Sequence, residues 1–488
     1  MRITNNIMTK NTLNNINHNK LLMDSLNSQL SSQKKIQRAS EDPIIAIRAL
    51  RLRATYADIS QYLEKNIPDA QQWLITSETA LNNVDTLLTE FVEYCNQGVN
   101  DYNTVSEREV LYNQLLQYHD EIYSNGNADY AGRTVFTGYK TDRTLAFEVD
   151  ENPQDYKYSI EEKFTFDDME TIHRISGSID PDDIKEVYES DVKNNQMYRL
   201  QLAYNNIDED GISLTGIQFP PYITVSTKSL GDMGAEVYNL NENEIVIVPE
   251  TGEIIFGQNA YEFAKDAGTI QVDYVKNGFA VGDLRPEHYF NCTDISDNDP
   301  SKHIEYTIDD QYMEYQINFS QKLTVNVLGK NVFSTGMARK IDDLMESVHT
   351  AIEVQKRKEQ IEKYIEDADP LDYATLDKLN SMLKAVNLEL SYAEENMSDS
   401  FGHCITIYQD YQETVNLAIA EIGTKNIRLT LNEERLTAQK TSVEELKSNN
   451  EEANMTEVVV LYTAASNVYD ASLAAASKVI QTTLLDFI

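Results

Sequence analysis

Residues 408–446 read YQDYQETVNLAIAEIGTKNIRLTLNEERLTAQKTSVEEL. Within them Tyr408, Val415, Ile422, Leu429, Leu436 and Val443 recur every seven residues without a miss. That spacing holds one apolar stripe on one side of a helix, and the stripe needs another helix to cover it. The positions three further along (Tyr411, Ala418, Lys425, Asn432, Gln439, Leu446) are mostly polar. The seam is therefore thin, unlike the broad apolar face of a buried globular helix. No proline follows Tyr408, and Val458, Tyr462, Ala465, Tyr469, Ala476 and Ile480 keep helical spacing almost to Leu484. A surface that long calls for a partner elsewhere in the chain or in another copy.

The N-terminal third supplies matching seams. Asparagine is frequent in residues 1–35 and is a poor helix former, because its amide competes for backbone partners. Yet Leu13, Ile16, Met23, Leu26 and Leu30 keep helical spacing. The segment reads either as one that becomes helical when its stripe is covered or as a permanently docked terminal helix. At Ser40-Glu41-Asp42-Pro43 a helix starts firmly. Ser40 or Asp42 can accept from the free amides, and proline is tolerated in the first turn. Ile44, Ile47, Leu50, Ala54 and Ala57 line one side of it, with Arg48, Arg51 and Arg53 largely elsewhere. Those arginines read as inter-subunit contacts or as a solvated face. After Pro68 a second helix carries Leu74, Ser77, Leu81, Val84, Leu88, Phe91 and Cys95 in steps of three and four, and Cys95 reads as a buried thiol. Ser106 and Glu109 are expected to form a capping box for a third helix, with Leu111, Leu115, Tyr118 and Ile122 inward. Asn125-Gly126 ends it, and Arg133–Gly138 reads as a short strand and turn.

From about 145 to 330 the period changes to alternation: Tyr198, Leu200, Leu202, Tyr204; Ile270, Val272, Tyr274; Tyr315, Ile317, Phe319; Leu323, Val325, Val327. Turn clusters such as Pro249-Glu250-Thr251-Gly252 separate these runs. Helical pattern returns near Ser334 and runs to the end, with breaks expected around Asp369-Pro370 and Gly402. The expected fold class is α+β: a long antiparallel helical coiled-coil rod built from both chain ends, with a β-rich domain inserted in the middle.

The 488 residues exceed what one core usually serves. A net charge of −39 argues against a nucleic-acid partner. The charge is uneven: residues 1–66 hold 10 Lys/Arg against 5 Asp/Glu, leaving 31 against 75 for the rest. Cys95, Cys292 and Cys404 are far apart and odd in number, so no disulfide framework is expected. No apolar run has the length of a signal peptide or a membrane span, so no cleaved signal and no membrane partner are expected.

Chemistry is hard to find. Seven histidines are scattered, and the adjacent His403-Cys404 would diverge by about 100° on a helix. Asn206-x-Asp208-x-Asp210-Gly211 matches the first half of a calcium loop, but Ile217 stands where the closing glutamate belongs, so a plain turn is favoured. No phosphate-binding glycine loop or nucleophile elbow is present. No catalytic, cofactor or metal residues are assigned, and no enzyme is expected.

Several stretches carry a resemblance. The start Met1-Arg2-Ile3-Thr4-Asn5, residues 29–43 (QLSSQKKIQRASEDP), Phe136-Thr137-Gly138-Tyr139-Lys140-Thr141, Ile422–Leu429 (IGTKNIRL) and the ending Leu484-Leu485-Asp486-Phe487-Ile488 resemble the flagellin superfamily, and specifically its hook-associated members. Gln33 stands where that family usually has glycine, a difference that bears on local turn geometry. Filament flagellins usually place two acids and an alanine-rich stretch where this chain has Asp42-Pro43-Ile44-Ile45, and usually lack a Leu-Leu-Asp-aromatic ending. Both differences favour the junction protein that sits next to the filament. The rivals are a filament flagellin and a flagellar scaffold whose insert is an adhesive or ligand-binding module.

The resemblance implies a structural protein of the bacterial flagellum, extracellular at the hook–filament junction, exported unfolded through the flagellar type III apparatus. Its implied partners are other copies of itself, the neighbouring junction protein (hook-associated protein 1), flagellin and an export chaperone. Three parts are expected. Residues 1–40 and 447–488 form terminal helices, disordered in the monomer and ordered on assembly. Residues 41–145 and 331–446 form a helical rod with a small β-hairpin. Residues 146–330 form the β-rich outer domain. The expected assembly interface comprises Leu13, Ile16, Met23, Leu30, Ser40, Asp42, Pro43, Val458, Tyr462, Ala465, Tyr469, Ile480, Leu484 and Leu485.

Overall fold

In the computed structural model, residues 5–99, 104–216, 219–233, 237–265 and 268–480 are described. The helices at the two ends and a β-rich middle make an α+β protein. The chain divides into two compact units, one of residues 1–70, 315–323 and 427–488, the other of residues 71–314 and 324–426.

The chain opens with α1 (Asn5–Ser32) and α2 (Pro43–Gln61). The Asp42 carboxylate accepts from the amides of Ile44 and Ile45 at 2.9 and 3.1 Å, and Pro43 occupies the first turn, where its missing N–H costs nothing. Asp42 rather than Ser40 is thus the cap. Pro68 does not start a new helix as expected. A π turn, Tyr62–Asn66, joins α2 directly to α3 (Ile67–Gly98). Pro68 has no N–H for the carbonyl of Glu64, and the Ile67 amide reaches back five residues to Tyr62, so the turn widens and the helix continues. In α4 (Val105–Glu121) the capping box lies two residues earlier than expected: Thr104 accepts from the Glu107 amide and Glu107 accepts from the Thr104 amide at 2.7 Å. The hairpin β1 (Asp129–Tyr130) and β2 (Arg133–Thr134) follows.

The β-rich region contains β3 (Lys157–Thr165), β4 (Glu170–Ser176), β5 (Lys193–Gln201), β6 (Ser213–Thr215), β7 (Thr224–Thr227), α5 (Leu230–Met233), β8 (Glu244–Val248), β9 (Glu253–Phe256), α6 (Gln258–Lys265), β10 (Thr269–Asn277), β11 (Asn291–Asp294) and β12 (Ile304–Tyr306). Among the described residues two five-stranded sheets form, in the orders β12-β11-β3-β10-β6 and β4-β5-β9-β8-β7, with only β7 and β8 paired in parallel. Tyr158 and Ile160 of β3 and Ile270, Val272 and Tyr274 of β10 share one core with Leu200, Ile245, Ile247, Ile254 and Phe256 of the second sheet. The second sheet is buried on its other face too, where Met197, Val246, Val248 and Ile255 meet Val237 and Tyr238. This explains the near-continuous apolar runs of β8 and β9, whose burial on both sides leaves no alternation to read. Gly252, at φ +63°, turns the chain between them; a Cβ there would meet the Tyr204 carbonyl oxygen at 2.1 Å.

A last hairpin, β13 (Glu314–Asn318) and β14 (Gln321–Thr324), leads to α7 (Gly336–Asp367), α8 (Tyr373–Glu451) and α9 (Met455–Ile480). The break at Asp369-Pro370 is present, whereas α8 runs without interruption through Gly402. Glycine in a helix costs only about 1 kcal/mol, and the flanking Phe401, Cys404 and Tyr408 are buried.

Within the larger unit, Leu74, Ser77, Leu81, Val84, Leu88, Phe91 and Cys95 of α3 are all fully buried, as are Tyr408, Val415 and Ile422 of α8. The Phe91 and Tyr408 rings lie 4.2 Å apart. Asp85 accepts from Gln412 and Asn416, and Asn426 donates to Glu78, so α3 and α8 run antiparallel along this stretch. The α7–α8 hairpin also holds the second sheet. Buried Arg199 pairs with Glu253, with Asp343 of α7 and, at 3.0 Å, with Glu170. Lys340 adds bonds to Glu170 and Gln201, Arg174 reaches Glu346 at 2.9 Å, and Asn194 and Asn396 exchange amide hydrogen bonds. Burial alone would push the Asp343 carboxyl up, but Arg199 and Lys340 outweigh it and hold it well below the usual range.

Candidate assembly interface

In the smaller unit, α1 and α9 pack against each other. Gln33 ends α1 in the left-handed region at φ +58°, and its amide closes on the Gln29 carbonyl at 2.8 Å. That turn aims the following backbone at the joint between α8 and α9. Ala453 donates to the Gln33 carbonyl at 3.0 Å, and Lys35 donates to the Glu451 carbonyl at 2.8 Å. Arg53 of α2 closes the joint with a two-point bond to Glu451, at 2.8 and 2.5 Å. Hydrogen bonding from Arg53 outweighs burial and lowers the Glu451 carboxyl, and the same pair raises the guanidinium. The loop before α2, together with Ile45, Ala49 and Leu50, encloses a groove of about 210 Å³ beside this pair.

Beyond the joint, Leu26, Val458 and Ala465 are buried together, with Met23, Leu30 and Tyr462 packed around them. Asn19 donates to the Ser472 hydroxyl at 3.1 Å, so the two helices run antiparallel. The cluster is small. Leu13 is 48% exposed and Leu21 69%, and on α9 Val459, Val460, Leu461 and Val468 also face water. These exposed side chains form a candidate interaction face.

Of the residues expected at the interface, Met23, Leu30, Val458, Tyr462 and Ala465 come together in this cluster. Ile16 and Tyr469 are half-buried, Leu13 and Ser40 are exposed, and Asp42 and Pro43 serve the start of α2. Ile480 ends α9, and Leu484 and Leu485 lie outside the described residues. Leu26, at the centre, has the same spacing as its expected neighbours. Lys34, Arg53 and Glu451 were not legible as a joint, because the contact spans almost four hundred residues of sequence.

α2 reverses one expectation. The side it covers is Ile45, Ala49, Leu52, Tyr56 and Ile59. Ile44, Ile47, Leu50, Ala54 and Ala57, the stripe visible in the sequence, all face solvent.

Residues 3–141 match the family model of the bacterial flagellin N-terminal helical region. That match spans 139 of the 488 residues, so the likeness to flagellins lies in the N-terminal part of the chain. A flagellin of Clostridium tyrobutyricum is 30% identical over 122 residues, 25% of this chain and 32% of that protein. Flagellar hook-associated protein 3 of Salmonella typhimurium is 29% identical over 144 residues, 29% of this chain and 45% of that protein. The chain thus spans less than half the length of the curated relatives it matches. The crystal structure of flagellar hook associated protein-3 from Legionella pneumophila shares 8% identity at a TM-score of 0.26, over 81% of this chain and 98% of that one. Within the flagellin-like region, the turn Phe136–Thr141 buries Phe136 against Phe333 at 5.3 Å and leaves Tyr139 exposed.

The other candidate sites have mundane partners. Lys157 pairs with Asp208 of the Asn206–Gly211 turn at 2.9 Å. The Cys404 thiol is buried against the Lys340 carbonyl, and burial pushes it up to about 12. Among the described residues no cluster of three His, Cys, Asp or Glu side chains has metal-binding geometry. No helix in this range is long and apolar enough to cross a membrane.

Proposed function

We propose that the chain is a hook-associated protein 3, a structural protein of the hook–filament junction in the layer next to the filament. The observation that carries this reading is the α1–α9 pair, which buries Leu26, Val458 and Ala465 but leaves Leu13, Leu21 and Val460 in water. Copies and neighbours stacked in a heterologous array would cover those faces.

In this reading the fourteen interface residues named above lie in the assembled contact. Residues 1–40 and 447–488 order fully only on assembly. Residues 41–145 and 331–446 form the coiled-coil rod, and residues 146–330 face outward. The partners are further copies, hook-associated protein 1, flagellin and an export chaperone; export needs no cleaved signal, and the role involves no catalysis or cofactor. Antiparallel pairing of α3 with α8 supports the rod.

The match to a clostridial flagellin favours a second reading, a filament subunit. Labelled chain added to isolated hooks and to flagellin seeds separates the two. A junction protein should load onto hooks in a limited amount and leave seeds unextended. Continuous elongation of the seeds by this chain alone would overturn the proposal in favour of the filament subunit.

A further inference from the structure

Two helix faces of the smaller unit stay open and carry opposite charge. On α2, Ile44, Ile47 and Leu50 are 65, 53 and 67% exposed. Arg48 and Arg51 stand exposed beside them, with no ion pair among the described residues. On α8, Ile427 and Leu431 are 64 and 62% exposed. Glu434, Ala438 and Glu445 continue the same side at helical spacing, all exposed and, for the two acids, without an ion pair among the described residues. The lysines of this stretch lie on the opposite, covered side: Lys440 and Lys447 sit 5.4 and 4.9 Å from the Tyr56 ring of α2. Arg428 and Arg435 lie about a quarter turn from the acidic face.

We infer that the α2 face of one copy docks on the α8 face of a second copy, apolar on apolar, with Arg48 and Arg51 opposite Glu434 and Glu445. The inference rests on the assembly reading above and deepens it. Within one molecule the faces point apart, because each is the back of the side on which α2 and α8 pack, through Tyr56, Arg53 and Asn450. They can meet only between molecules. Two different patches of one chain that complement each other make a heterologous contact, which repeats from copy to copy instead of closing on a dimer. A second copy fits better than a foreign partner, because the chain itself carries both halves with matched charge, and complementary charge selects partner and register.

The test uses two full-length variants, Arg48→Glu/Arg51→Glu and Glu434→Arg/Glu445→Arg, and reads co-sedimentation with isolated hooks and with excess free chain. All four side chains are exposed, so circular dichroism should match the unsubstituted protein. Each variant alone sets like charges against each other and should sediment less by about tenfold or more. Mixed in equal amounts they should recover, since the glutamates on α2 of one variant then face the arginines on α8 of the other. If either variant sediments like the unsubstituted chain, or the mixture fails to recover, the docking pair is wrong and the assembly reading stands. If the unsubstituted chain itself never sediments, the assembly reading falls and this contact with it.

Discussion

Gln33 shows how much one backbone angle can organise. It sits where the flagellin family usually has glycine, yet adopts the left-handed conformation at φ +58°. A side chain there costs about 1 kcal/mol. The cost is tolerated because the turn lets Gln33 and Lys35 bond the α8–α9 joint. Gln33→Gly should therefore stabilise the joint by up to about 1 kcal/mol, seen as slower amide exchange at Lys35 and Ala453; faster exchange there would contradict this account. Glu162 is a different case. It is buried between the sheets, hydrogen-bonded by the Ala203 amide and the Tyr274 hydroxyl, and burial pushes its carboxyl up to about 7 from an ordinary 4.5. Because the folded value is the higher one, its contribution to stability is full below pH 4.5 and is lost as pH rises through 7. That loss is on the order of 3 kcal/mol. Glu162→Gln should remove this slope and be the more stable protein at pH 8, by urea unfolding at a series of pH values. Parallel stability curves for the two proteins would show that Glu162 is not the titrating group.

At the scale of elements, charges decide how the inserted sheet is held. Arg199, Asp343, Glu170, Glu253 and Lys340 form one network between β5, β9, β4 and α7. Removing one partner of a buried network strands the others. Arg199→Met should cost about 3–5 kcal/mol in chemical denaturation; a loss under about 1 kcal/mol would mean water already solvates the network. This network also explains the long charged stretch around residues 341–400. It carries Asp343, Glu346 and Asn396 to the sheet. Local signals misled in a consistent way. Pro68 and Gly402 are helix breakers by propensity, and both lie in unbroken helix because a π turn or neighbouring buried side chains offset a penalty of a few kcal/mol at most.

For the whole molecule, the governing fact is apolar surface left in water at both chain ends. Residues 1–35 and 459–488 should exchange amide hydrogens with little protection in the free monomer, while residues 70–95, buried along α3, stay protected. Equal protection would mean that the terminal pair is already stable alone. Deleting residues 1–32 and 455–488 should abolish loading onto hooks and leave the urea midpoint of the remaining body nearly unchanged. Truncated chains that still load would move the assembly contact elsewhere, with the α2 and α8 faces the first place to look.

The heptad column at 408–443, the matching row on α3 and the alternating inserted strands are local periodicities, and the cap at Asp42 is a local motif; signals of this range were enough to mark these helices, strands and seams. Leu26, Val458 and their neighbours were legible for the same reason. Which side of a helix is covered is not a local property. On α2 two apolar stripes compete, and only the packing of Tyr56 and Ile45 against α8 turns Ile44, Ile47 and Leu50 outward. The Arg53–Glu451 clasp and the Arg199 network likewise join residues far apart in the chain. Their partners are chosen by tertiary geometry, because a charge is specified by what it meets and not by the residues beside it.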